Sequence, residues 1–179
     1  MSDIKVINNF INNTDRLKLI KVINDLMRTV NSSPDADGYD GRFVFFRPSD
    51  PEAIKLIKKY SAKVMNNYDY SSGVFLHDVT LAKSFPGTKL DVHMDFDNND
   101  ACTQCPYASV IYLNKDYTGA EIFFPELDER YSPESGTAII FPQDDPQYAH
   151  GVDELLSGER YIINICYTKD VTRQFNLYK

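Results

Sequence analysis

Apolar residues recur every three or four positions from Leu17 onward, through Leu19, Ile20, Ile23, Leu26, Met27 and Val30. That period is the stripe of an amphipathic helix, and Thr14 stands where a capping residue belongs. Residues 31–42 replace the stripe with Gly, Pro, Ser, Asn and Asp, a loop composition. A short aromatic strand is predicted over 42–47. Ser49-Asp50-Pro51 then announces a second helix, with a cap residue before a proline at the first helical position. Ile54, Leu56, Ile57, Tyr60, Val64 and Met65 carry its apolar face, and its end is predicted near Asn66 and Asn67. From about residue 73 the period shortens. Residues 74–85, 89–93, 107–113, 120–124, 137–141 and 161–167 are runs rich in β-branched and aromatic side chains. Turn signals such as Pro86-Gly87, Asn114-Lys115-Asp116 and Ser157-Gly158 separate them.

Strands spaced in this way predict an antiparallel sandwich or barrel. The expected fold class is therefore α+β, mainly β, in a single domain over 1–179. Helical support occupies about 1–70 and the β core about 74–168, with the helices packed on the outside of one sheet. Composition supports a globular chain, at 42% hydrophobic and 25% charged residues. With 26 acidic against 19 basic residues the net charge is −7, which disfavours a nucleic-acid partner, because phosphate binding needs a Lys/Arg surface. No apolar stretch approaches the roughly 20 residues that span a bilayer, and the first residues lack a signal-peptide core, so no membrane association and a cytoplasmic location are expected. Three cysteines, an odd number, do not read as a disulfide framework. Oligomeric state is not legible from the pattern.

The chemistry begins at His93-Met94-Asp95. In an extended strand residues i and i+2 share a face, so the imidazole and the carboxylate can converge on one ion. His150 follows, a candidate third ligand from a facing strand. Two histidines and one carboxylate on one face of an octahedron leave positions open, as non-haem Fe(II) oxygenases require. By itself His-x-Asp is short, and a lone histidine more often serves structure than chemistry. Arg160 changes the picture. It opens the strand 161–167 ten residues after His150, and a planar, permanently charged guanidinium grips a carboxylate through two parallel bonds.

Residues 74–168 resemble the prolyl-4-hydroxylase-like branch of the Fe(II)/2-oxoglutarate-dependent dioxygenases. In chain order the resemblance rests on Phe85-Pro86-Gly87 leading into Asp91-Val92-His93-Met94-Asp95, then Ile111-Tyr112-Leu113-Asn114 and Gly119-Ala120-Glu121-Ile122-Phe123-Phe124-Pro125. Ser135-Gly136-Thr137-Ala138-Ile139-Ile140-Phe141, His150-Gly151-Val152 and Gly158-Glu159-Arg160-Tyr161 complete it. The resemblance implies a double-stranded β-helix (jelly roll) with supporting N-terminal helices. It implies Fe(II) on His93, Asp95 and His150, and the distal carboxylate of 2-oxoglutarate on Arg160. O2 is then the second co-substrate and ascorbate the reductant. Tyr112 sits where relatives place a hydroxyl against that carboxylate, although an inward core aromatic explains it equally well. Asn114 is expected to fix the turn that follows it.

The chain departs from the family pattern in several places. Gly119-Ala120 replaces a common glycine pair, and Glu121-Ile122 replaces Glu-Thr. Phe85 stands where oxygen-sensing relatives carry a tyrosine, so it donates no hydrogen bond to the co-substrate. Arg160 in place of lysine separates the chain from the collagen-type enzymes. Substrate therefore has three readings: a prolyl residue in a peptide or protein, with residues 31–42 as a lid; a free amino acid or other small molecule; or no turnover, in a metal- or ligand-binding domain. Cys102-Thr103-Gln104-Cys105 has the spacing of half a zinc knuckle, but no second pair exists and two reduced thiols are expected. His77 is expected on a sheet face, and the acidic runs 97–100 and 144–145 in solvated turns.

Overall fold

A computed structural model describes residues 3–29, 43–46, 49–67, 73–95 and 105–174. Expectations for the 31–42 loop, the 97–100 turn and Cys102 fall outside the described residues. In chain order the elements begin with β1 (Lys5–Ile7), α1 (Asn13–Thr29), β2 (Phe43–Phe46), α2 (Pro51–Met65), β3 (Phe75–Ser84), β4 (Leu90–His93) and β5 (Tyr107–Tyr112). Next come β6 (Tyr117–Gly119), β7 (Ile122–Phe124), β8 (Glu129–Tyr131), β9 (Ala138–Pro142), β10 (His150–Val152), β11 (Leu155–Gly158) and β12 (Arg160–Thr168).

The two helices form where the 3.6-residue period placed them. The cap of α1 differs from the sequence expectation. It falls on Asn12, not Thr14, because the helix starts at Asn13 and Asn12 Oδ1 accepts the Asp15 amide at 2.9 Å. Asp15 then accepts from Lys59 at 2.6 Å and from the Tyr60 hydroxyl at 2.7 Å, which ties α1 to α2. In α2 the Asp50 side chain accepts from the amides of Glu52 and Ala53, ahead of Pro51, as its sequence predicts.

The strands make a six-stranded sheet in the order β1-β9-β5-β12-β3-β2, a four-stranded sheet β4-β10-β7-β8 and a β6-β11 pair, every described pairing being antiparallel. This is the double-stranded β-helix. Alternation along β12 shows how one sheet serves two layers. Tyr161, Ile163, Ile165 and Tyr167 join Leu19, Ile23, Ile57 and Tyr60 in the core beneath the helices. Ile162, from the opposite face, joins Tyr112, Phe141, Ile122 and Phe124 in the core between the sheets. The helices thus cover the outside of the large sheet, as expected.

The missing second glycine carries a local cost. Gly119 is required at φ 76, where an added Cβ would overlap the Glu154 carbonyl oxygen. Ala120 follows at φ 55, a left-handed conformation that costs a non-glycine residue about 1 kcal/mol. Its amide bonds the Glu154 carbonyl at 3.1 Å, and that contact holds the conformation in place. Cys105 corrects the expectation of a reduced thiol: it is 1% exposed and disulfide-bonded, while Cys166 forms no disulfide. Among the described residues no helix is long and apolar enough to cross a membrane.

Candidate metal centre and anion pocket

Strand pairing assembles the candidate ligands. β10 runs antiparallel to β4 with His150 opposite His93, so the two imidazoles lie side by side with ring centroids 4.8 Å apart. Asp95, two residues beyond His93, brings Oδ1 to 3.5 Å from His93 Nε2 and 3.7 Å from His150 Nε2. One donor atom from each of the three lies within 4.8 Å of the others, the only such group of ligating side chains among the described residues. Gly151 makes the close approach possible: a Cβ there would meet the Phe123 ring at 2.5 Å and the Leu90 carbonyl at 3.0 Å.

Each ring is oriented from behind. His93 Nδ1 lies 2.8 Å from the Asp91 carbonyl oxygen, and His150 Nδ1 lies 3.2 Å from that of Tyr148. A proton on each Nδ1 satisfies those carbonyls and leaves both Nε2 lone pairs aimed at the shared point. Phe141 and Phe124 wall the His150 ring at 4.7 and 5.5 Å. Gln143 Nε2 donates to Asp95 Oδ2, which leaves Oδ1 toward the histidines. Nothing in the sequence pattern singles out Gln143, because its partner lies 48 residues away.

Electrostatics distinguish the three groups. Burial pushes the Asp95 carboxyl up, but both histidines and Gln143 outweigh it, and it ends below the usual carboxylate range. Burial pulls His150 down, so this imidazole is held neutral. The hydrogen bond with Asp95 raises His93 against its own burial. Two imidazoles and one carboxylate, each oriented from behind, are a donor set suited to Fe(II).

A cavity of about 230 Å³ extends from this centre along the inner face of the large sheet to Arg160, past Thr80, Val110, Ile162 and Asn164. Arg160 is 3% exposed, its Nε lacks a hydrogen-bond acceptor, and no carboxylate pairs with it among the described residues. Its guanidinium lies 5.4 Å from the centre of the Tyr112 ring. Tyr112 is fully buried in the inter-sheet core, and its hydroxyl has no partner either. The two readings of Tyr112 are thus compatible: the ring packs in the core and the hydroxyl is left over beside a cation.

Asn114 departs from expectation. Instead of bonding its own turn, it is buried against β12, where Nδ2 donates to the Glu159 carbonyl at 2.7 Å and Oδ1 accepts from the Tyr161 amide at 2.9 Å. These peptide groups flank Arg160, so Asn114 pins the backbone from which the guanidinium projects. Leaving a buried donor or acceptor unmet costs about 1–3 kcal/mol. Asn114→Ala is therefore expected to lower the thermal midpoint by several degrees and to weaken binding of a carboxylate at Arg160. Calorimetry of the variant checks the first effect and ligand titration the second. His77, half-buried on β3, does not join the centre.

The double-stranded β-helix thus carries two histidines and an aspartate on one wall and, along the same cavity, a buried arginine without a carboxylate partner among the described residues, the layout of a non-haem iron site. Comparison with known proteins gives the family. The model of the 2OG-Fe(II) oxygenase superfamily matches residues 79–168, just over half of the chain. The chain belongs to that superfamily: it is a 2-oxoglutarate-dependent dioxygenase that uses Fe(II) and O2. A protein of Acanthamoeba polyphaga mimivirus named "Putative prolyl 4-hydroxylase" is 21% identical over 180 residues, covering 90% of this chain and 72% of that one. The viral collagen prolyl hydroxylase of Paramecium bursaria Chlorella virus-1, solved with 2-oxoglutarate, superposes with a TM-score of 0.68 at 22% identity, covering 92% of this chain and 94% of that one. A Trichoplax adhaerens prolyl hydroxylase, solved with a peptide of the hypoxia inducible factor oxygen degradation domain, gives 0.69 at 17% identity over 97% of this chain and 86% of that one.

Proposed function

We propose that this enzyme hydroxylates prolyl residues in a peptide or protein. One oxygen atom of O2 enters the prolyl C–H bond and the other enters succinate, as 2-oxoglutarate loses CO2. In this reading His93, Asp95 and His150 hold the iron, Arg160 and Tyr112 bind the distal carboxylate of 2-oxoglutarate, and ascorbate keeps the metal reduced. Bound Fe(II) would supply the O2-binding and redox chemistry that no side chain has. The chain's own residues orient the ligands, place the co-substrate and cover the His150 ring with Phe124 and Phe141.

One observation carries the assignment of the co-substrate: a buried guanidinium without a carboxylate partner among the described residues, on the same cavity wall as the three ligands. A buried cation is costly unless paired, so the site calls for an anion. The preference for proline is supported by likeness to prolyl hydroxylases over nine-tenths or more of the chain. A second reading, a free amino acid or other small molecule, is favoured by the polar stretch of the wall formed by Asp78, Thr80 and Asn164. Mass spectrometry separates the two. Purified protein with Fe(II), ascorbate and 2-oxoglutarate should add 16 mass units, one oxygen atom, to proline-containing peptides and none to free amino acids. Oxygen on free amino acids alone would reverse the preference.

A further inference from the structure

We propose that Tyr117 is a third donor to the distal carboxylate of 2-oxoglutarate, beside Arg160 and Tyr112, an inference that rests on the co-substrate reading above.

Tyr117 opens β6, five residues after Tyr112 and outside every motif that carries the family resemblance. Its side chain lies in the inter-sheet core at 7% exposure, and its hydroxyl is buried without a hydrogen-bond partner. Lys115 Nζ lies 5.1 Å from the centre of its ring, and the Arg160 guanidinium, the Tyr112 phenol and the Glu134 carboxylate are the charged and polar groups that act on its hydroxyl. Burial pushes the Tyr117 phenol up to about 12 against the opposing charge of Arg160, so it keeps its proton and acts as a donor. The same holds for Tyr112, which burial also raises. Two phenolic protons and a guanidinium thus share one buried corner, and neither phenol hydroxyl nor Arg160 Nε has a hydrogen-bond partner among the described residues. A carboxylate has two oxygens and about four acceptor positions, enough for all three.

The backbone holds Tyr117 in that corner. Its strand pairs with β11 through Tyr117 opposite Gly158, and Gly158 adopts φ 81. A Cβ at Gly158 would meet Tyr117 Cα at 2.9 Å, so the glycine lets the two strands close together two residues before Arg160. Packing alone does not call for the hydroxyl. A phenylalanine would fill the same volume without burying an unsatisfied O–H. The hydroxyl is instead placed to bond an anion that arrives from solution.

The test is anaerobic calorimetric titration of the Fe(II)-loaded full chain with 2-oxoglutarate and with 2-oxopentanoate, which has the same length without the distal carboxylate. Tyr117→Phe, Arg160→Met and the parent chain are compared, together with the thermal midpoint of each in the absence of keto acid. A hydrogen bond to a charged group implies that Tyr117→Phe weakens 2-oxoglutarate binding about ten-fold or more. The variant should bind 2-oxopentanoate as the parent does, and its thermal midpoint should stay level or rise. If Tyr117→Phe binds 2-oxoglutarate as tightly as the parent while Arg160→Met does not, the role of Tyr117 is overturned and the co-substrate reading survives. An equal loss for both keto acids, or a lowered midpoint, would make Tyr117 a packing residue and overturn its role as a donor. A parent chain that does not bind 2-oxoglutarate at all would overturn the co-substrate reading, and the proposal with it.

Discussion

Asp95→Ala is expected to abolish conversion of 2-oxoglutarate to succinate while the chain stays folded. Asp95 is the only carboxylate in the three-ligand group, and its Oδ1 is the atom nearest both histidine Nε2 positions. Truncation removes the anionic donor and strands the Gln143 amide that orients it. Loss of even an outer partner of a metal site costs about 10–100-fold in affinity or activity, and loss of a direct ligand costs more. Stability should fall by no more than the cost of the one stranded Gln143 donor, about 1–3 kcal/mol, because the Asp95 side chain keeps 28% of its surface accessible and is not part of either apolar core. Asp95→Asn keeps the shape and removes the charge, so weak iron retention in that variant too would assign the effect to charge. Succinate formation and bound iron, measured on the same preparation, check both variants. Normal turnover by Asp95→Ala would sink the ligand assignment.

Arg160→Met should separate binding from folding in the opposite way. The guanidinium is 3% exposed and lacks a carboxylate among the described residues, so the ligand-free protein carries an uncompensated buried charge. Replacing it with an apolar side chain of similar length relieves that penalty, and the thermal midpoint is expected to hold or rise. Binding should move the other way. Removing one partner of a buried charge pair costs about 2–5 kcal/mol, so 2-oxoglutarate affinity should fall at least about 30-fold. Arg160→Lys keeps the charge but loses the planar fork, and an intermediate loss is expected. An unchanged dissociation constant for 2-oxoglutarate in Arg160→Met would remove the observation on which the co-substrate assignment stands.

These expectations tie stability to function in the anion corner. Arg160, Tyr112 and Tyr117 each bury a polar atom without a hydrogen-bond partner among the described residues, which a protein selected for stability alone would replace. Asn114 works in the other direction, because its two hydrogen bonds satisfy backbone groups and hold Arg160 in place. The corner is therefore rigid in its backbone and unsatisfied at its tips.

The elements that could be read from the sequence are those whose own length displays a period. Both helices and the long strands β3, β5 and β12 repeat their pattern often enough to be recognised, and their observed ends lie within one or two residues of the expected ones. β1, β6, β8 and β11 escaped, because they are three or four residues long without the aromatic or β-branched run that marked the equally short β2, β4 and β7, and pairing with neighbours defines them. His93, Asp95, His150 and Arg160 were legible from their spacing and from the family resemblance, although β4 ends at His93 and Asp95 lies just past it. Their meeting was not legible: it depends on the register that sets His150 opposite His93. The residues that support the site were less visible still. Gln143, Asn114 and Tyr117 take their roles from partners 43 to 48 residues away, and Asn114 was expected to serve its own turn. By itself the sequence determined the helices, the long strands and the chemical identity of the candidate ligands, because periodicity and side-chain type are local properties. Tertiary structure alone decided which polar groups are buried together and which of them go unpaired, because burial and pairing depend on residues that are distant in sequence.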